Sequence, residues 1–192
     1  MYKMIIPIGV DCGMADFLKK YNLRKISFPF DWNVSYHGVS QCIDDNFNFF
    51  TEPLHDRINT YDIYFHHDFV DINSLHQDKQ KYSRRCQRFI HILETSNENI
   101  IFCRKGHACH NHTEHNGKYS DTINDIDDAE KLDIILQKYP QLKYKIIVIL
   151  MCDTCFPMET YKSKSDNIDI YNIARHQDDT MFEKLCRHIF KV

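Results

Sequence analysis

The run Met4-Ile5-Ile6-Pro7-Ile8-Gly9-Val10-Asp11-Cys12-Gly13 decides how this chain is read. Lys3 to Gly9 is apolar and β-prone, and a glycine ends it. From Asp11 to Tyr21 the apolar residues Met14, Ala15, Phe17, Leu18 and Tyr21 fall at helical spacing, which predicts an amphipathic helix. Cys12 therefore stands at a strand-to-helix junction. One reading of a cysteine there is chemical: the amides and dipole of a helix N-terminus favour a thiolate, which is the nucleophile. The other is structural, a small residue filling a tight turn.

The same alternation recurs outward from this run. Lys25 to Trp32 reads as extended and His37 to Phe50 as a helix that buries Val39, Cys42, Ile43, Phe47 and Phe50. Thr60 to Val70 is rich in β-formers and reads as a strand. Lys79 to Glu94 is predicted helical, with Tyr82, Cys86, Phe89, Ile90 and Leu93 on one side, and Asn99 to Arg104 a buried strand. A polar, His-rich loop is expected over 105–125. Asp127 to Tyr139 reads as a helix stopped by Pro140, Tyr144 to Met151 as a buried strand, Ile168 to Ile173 as a short strand and Asp178 to Phe190 as a last helix. Strands alternating with helices predict an α/β fold: a single three-layer domain over 1–192, with a mostly parallel sheet and helices on both faces. In such sheets ligands bind outside the carboxyl ends of the strands. That rule selects Asp11, Cys12 and Gly13, then His66, His67 and Asp68, then Arg104, then Cys152 to Cys155.

Composition narrows the classes. At 192 residues the chain can bury a real core, and its net charge of -3 gives no electrostatic case for nucleic acid or an anionic membrane. No apolar run approaches the ~20 residues that span a bilayer. No basic segment followed by a long apolar stretch and a cleavage site opens the sequence. Most of the eight cysteines lie inside apolar patterns, so they are read as reduced, and the expected location is the cytoplasm. Abundant Ile, Asn, Asp, Lys and Tyr with only 5 Gly and 5 Pro point to an AT-rich genome, such as that of a large DNA virus, a protist or a low-GC bacterium. In the viral case the location is the host cytoplasm.

Three stretches form a recognisable combination: Ile8 to Gly13 with Ala15 and Leu18; Phe28-Pro29-Phe30-Asp31-Trp32; and His67-Asp68-Phe69 followed by Tyr82-Ser83-Arg84-Arg85-Cys86-Gln87-Arg88-Phe89. With Phe102-Cys103-Arg104, they resemble a family of unknown function named for papain-like cysteine peptidases, found in bacteria and large DNA viruses. The resemblance covers roughly residues 4–104 and implies that Cys12 is a site residue. The placement of Cys12 after a buried strand also looks like the strand–nucleophile–helix order of parallel-sheet hydrolases, such as Gly-Asp-Ser-Leu esterases. The Gly-x-Ser-x-Gly elbow is absent.

Three constellations follow. In the first, Cys12 is the nucleophile of a cysteine-dependent hydrolase, peptidase-like or acyl-transferring. His67 is its base, with His66 and His176 as alternatives, and Asp31 or Asp68 orients the imidazole. N–H groups near Gly13 would hold the oxyanion. The competing reading makes His67 and Asp31 hydrogen-bonded core residues. In the second, Arg84, Arg85, Arg88 and Arg104 bind the phosphate or carboxylate of a small anionic ligand, phosphorylated or a nucleotide sugar, through guanidinium forks, whereas in the first the substrate is a peptide or another acyl compound. Internal pairing with Asp31, Asp68 or Glu94 is the alternative. In the third, zinc is held by His107, Cys109, Cys152 and Cys155 in a non-enzymatic interaction protein. The alternative is a solvated His-rich loop. The hydrolase itself requires no cofactor.

Overall fold

The computed structural model describes residues 4–35, 38–52, 54–106, 109–114, 119–152, 159–174 and 178–192. Four strands run parallel: β1 (Met4–Pro7), β2 (Asn99–Gly106), β5 (Lys143–Cys152) and β7 (Ile168–Ala174). A fifth, β6 (Glu159–Lys162), pairs antiparallel with β7 and closes that edge, giving the order β1-β2-β5-β7-β6. Phe102 of β2 stands opposite Ile6 on one side and Ile146 on the other. Because β1 is the other edge, Pro7 is tolerated there: one side of the strand has no neighbour that needs its missing N–H.

The two-residue period of the strands sorts the core into two layers. Ile6, Phe102, Ile146, Val148, Leu150, Ile168 and Ile170 face α2 (Val39–Asp44), α3 (Leu75–Thr95) and α4 (Asp125–Leu136). Ile101, Cys103, Ile147, Ile149, Met151 and Ile173 face α1 (Gly13–Lys20) and α5 (Asp178–Phe190). The expected three-layer α/β architecture is thus present. The first layer is strongly aromatic. Phe89 sits edge-on to Phe28 and Phe30 and against Phe47 and Phe102.

Several local expectations are corrected. Thr60 to Val70 is not a strand, and only Tyr64 in it makes β-bridges, to Val34 and Ile58. The Asn59 side chain turns the segment, accepting from the N–H groups of Tyr61 and Ile63 and donating to Phe50 O. The aromatic residues there serve the core, so β-propensity reported burial rather than a ladder. Lys25 to Trp32 ends in a turn rather than a strand: Phe28 N–H donates to Asp31 Oδ2 and the Asn33 amide to Pro29 O. The helix expected over 37–50 is only Val39–Asp44. The backbone then turns through Asn46 and Phe47 at positive φ. Finally, 105–125 is not one loop. β2 continues through Gly106, and β3 (Cys109–Glu114) pairs antiparallel with β4 (Tyr119–Asn124), whose Tyr119, Thr122 and Ile123 are β-formers.

Candidate functional site

The ladder between β1 and β2 runs past Pro7. Ile8 N–H donates to Cys103 O, Lys105 N–H to Gly9 O and Val10 N–H to Lys105 O. Gly9 is at φ +98°, and a Cβ there would stand 2.6 Å from Ser35 Oγ and 2.8 Å from Arg104 Nη1. A side chain is therefore excluded both by conformation and by space. Three residues later Cys12 caps α1, with φ -73° and ψ -7°.

Cys12 is half-buried and lines a cleft of about 440 Å³ with Asp11, Gly13, Asp16, Phe17, Lys20, Lys105, Phe182 and Glu183. The cleft lies between α1 and α5 at the carboxyl end of β1. Its two walls are tied at Glu183: Lys20 Nζ bonds Glu183 Oε2 at 2.7 Å, and the Tyr21 hydroxyl donates to Glu183 Oε1. Phe182 forms an apolar wall, edge-on to Phe17.

The electrostatics at the sulfur oppose ionisation. Burial pushes the Cys12 thiol up, the Asp11 and Asp16 carboxylates push it further, and the thiol's hydrogen bond to Asp16 adds to the effect. Gly13 N–H, expected to face an oxyanion, donates to Asp11 Oδ1 at 2.8 Å. Lys105, which the sequence reading did not single out, approaches from β2. Its Nζ is 3.5 Å from Asp11 Oδ2 and 5.0 Å from the Phe182 ring centroid. A Cβ on Gly13 would stand 2.8 Å from that nitrogen, so glycine gives the ammonium its close approach to the backbone beside Cys12.

The other expected members lie elsewhere. No histidine is among the described residues lining the cleft. His67 is exposed, its ring edge-on to Trp32 at 6.3 Å and to His66 at 4.7 Å. Asp31 is fully buried. It takes bonds from the Arg24 guanidinium and from Phe28 N–H, while burial pushes its carboxyl up. Asp68 pairs with Lys81 and accepts from Tyr82 Oη at 2.7 Å. The hydrogen bonds of both carboxylates go to groups other than His67. His176 lies outside the described residues.

The arginines do not form one pocket. Arg84 is exposed, Arg85 lies over the Tyr82 ring at 5.1 Å, and Arg88 donates to Ser27 O at 2.6 Å. Arg104 is 1% exposed; it bonds Asp125 and Ile8 O, with Asp128 at 4.0 Å. None of the four lines the cleft around Cys12. Among the expected metal ligands, Cys109 opens β3 and Cys152 ends β5, while His107 and Cys155 lie outside the described residues. Among the described residues no group of three or more His, Cys, Asp or Glu could hold a metal, and no helix is long and apolar enough to cross a membrane.

Fold and site together define a three-layer α/β protein with a half-buried cysteine between its first strand and first helix. Residues 3–64 match the model of a family described as "Putative papain-like cysteine peptidase". The match takes in Cys12 and the Phe28 to Trp32 turn, and stops before His67, the α3 arginines, Lys105 and α5. No curated protein and no solved structure matches the chain.

Proposed function

We propose that the protein is a cysteine-dependent acyl hydrolase or transferase with Cys12 as its nucleophile. The observation that carries this reading is the position of Cys12: half-buried at the carboxyl end of an edge strand, at a helix start, facing a cleft large enough for a small acyl group. The match of residues 3–64 to a family named for cysteine peptidases supports it. The sulfur attacks the carbonyl carbon of an ester or amide. A C–S bond forms, the C–O or C–N bond breaks, and the leaving group departs with the proton that the thiol gave to the base. Water, or an acceptor in a transfer reaction, then cleaves the thioester.

Asp16 accepts the thiol's hydrogen bond, and its negative charge opposes the thiolate it would have to generate. The candidate bases are the imidazoles of His67 and, as its alternative in the sequence, His176. We place the protein in a reducing compartment, the cytoplasm, because Cys12, Cys42, Cys86, Cys103 and Cys186 are all free thiols.

The test uses p-nitrophenyl acetate and mass spectrometry of the quenched protein. An acetyl thioester on the Cys12 peptide, absent in C12A, is the expected result. Loss of turnover in H176A with retention in H67A would assign the base, and the reverse would return it to His67. Equal or absent acylation of Cys12 relative to the four buried cysteines overturns the reading.

A further inference from the structure

Two positive groups beside the Cys12 backbone converge on one carboxylate. Asp11 Oδ1 takes the Gly13 N–H at 2.8 Å, and Asp11 Oδ2 faces Lys105 Nζ at 3.5 Å. Lys105 is not a surface charge free to leave. Its side chain is 13% exposed, and its backbone is locked into the β1 ladder through Gly9 O and Val10 N–H. The other charges facing the cleft are Asp16 and Lys20 on α1 and Glu183 on α5, and Lys20 is committed to Glu183. Among the described residues lining the cleft, Lys105 is thus the cation not committed to Glu183, and it stands beside Cys12.

We propose that Lys105, with the Gly13 amide, stabilises the acyl oxyanion formed at Cys12, and that Asp11 occupies this position in the free protein and is displaced by substrate. The inference rests on Cys12 being the nucleophile. It specifies the substrate's reacting group as an acyl carbonyl, whose oxygen takes the place of an Asp11 carboxylate oxygen. The apolar wall of Phe17 and Phe182 takes the acyl chain. No proton needs to leave Lys105: as the carbon–sulfur bond forms, the carbonyl π electrons move onto oxygen and are returned when the leaving group departs. A fixed ammonium in a partly desolvated cleft suits that role, because it needs no rearrangement as charge develops. Asp11 makes the free site selective, since an anion must compete with a carboxylate already bound.

The experiment compares Cys12 alkylation by anionic iodoacetate and neutral iodoacetamide, read by mass spectrometry across pH. The variants are D11N, K105M, K105R and the double D11N/K105M. D11N should raise the iodoacetate-to-iodoacetamide rate ratio about fourfold, the effect of removing one unit charge at about 5 Å in water. K105M should lower the ratio below wild type and move the pH midpoint of alkylation upward. K105R should restore both, and the double variant should return the ratio to near the wild-type value. Ratios and midpoints indifferent to residue 105 in folded protein would overturn this inference while leaving Cys12 as nucleophile. If K105M does not fold, K105Q takes its place: a ratio below wild type supports the inference, and a ratio equal to wild type overturns it. Wild-type Cys12 that reacts no faster than the buried thiols would overturn both readings together.

Discussion

Removing Arg104 should destabilise the protein severely without changing what the Cys12 cleft binds. Arg104 is 1% exposed and Asp125, at the first position of α4, is 0% exposed. The guanidinium also donates to Ile8 O at 2.9 Å, and Asp128 stands at 4.0 Å while accepting from Ser40 Oγ at 2.7 Å. One buried cation therefore ties the end of β1 to the start of α4, beside α2. Truncation to methionine takes the Arg104 charge away from the buried Asp125 carboxylate, and breaking a buried pair on one side costs about 3–5 kcal/mol. Against a total stability of about 5–15 kcal/mol, that is about a fifth of the fold or more. For a domain of this size it lowers Tm by about 6–20 °C. Urea unfolding monitored by circular dichroism measures the loss, with unchanged m confirming that the unfolded state is not what moved. The double variant R104M/D125L removes both charges and should recover most of the loss, because no buried charge of the pair remains and only the bond to Ile8 O is lost. An R104M loss under about 1 kcal/mol, or a double variant as unstable as the single, would refute the reasoning.

Two further outcomes are expected. F89A should cost about 3–5 kcal/mol in the same urea assay, because Phe89 is 1% exposed among Phe28, Phe30, Phe47 and Phe102 and its removal leaves a cavity; a loss near 1 kcal/mol would mean the cluster collapses around it. Acid should destabilise the protein through Asp133: burial raises its carboxyl, but bonds from Tyr144, Asn167 and Gln137 outweigh it and hold the carboxyl below its usual value. A depressed native pKa contributes stability above the unfolded value of about 3.9 and loses it as pH falls through the native one. Tm should therefore drop below about pH 4, and D133N should blunt that drop; an identical acid limb in D133N would contradict the assignment.

Where the hydrophobic period was long, the sequence was sufficient. Ile146 to Met151 alternates between the two helical layers, and α3 and α5 carry their apolar faces at helical spacing. It failed where the aromatic residues of 60–70 served the core from an irregular backbone, since residue type does not distinguish a strand from a turn held by the Asn59 side chain. The site was half legible. Cys12 was found because strand, glycine and helix are contiguous. Lys105 was passed over for Arg104, whose fork fits anions, yet parity held the answer. Along β2, Ile101 and Cys103 face α1 and α5, so residue 105 shares the Cys12 side, while Phe102 and Arg104 share the other. Alternation was the available signal, and side-chain chemistry drew attention away from it.

The α1–α5 wall also sets a timing. Tyr21 and Glu183 meet across 162 positions of sequence, and Phe182 comes from the same distant turn. During synthesis, the Cys12 thiol leaves the ribosome long before the helix that shelters it. Until α5 docks, the thiol stands open to oxidants and to other chains. A relative sharing only the segment 3–64 would inherit the cysteine without its enclosure, so its reactivity would have to be built from a different last helix.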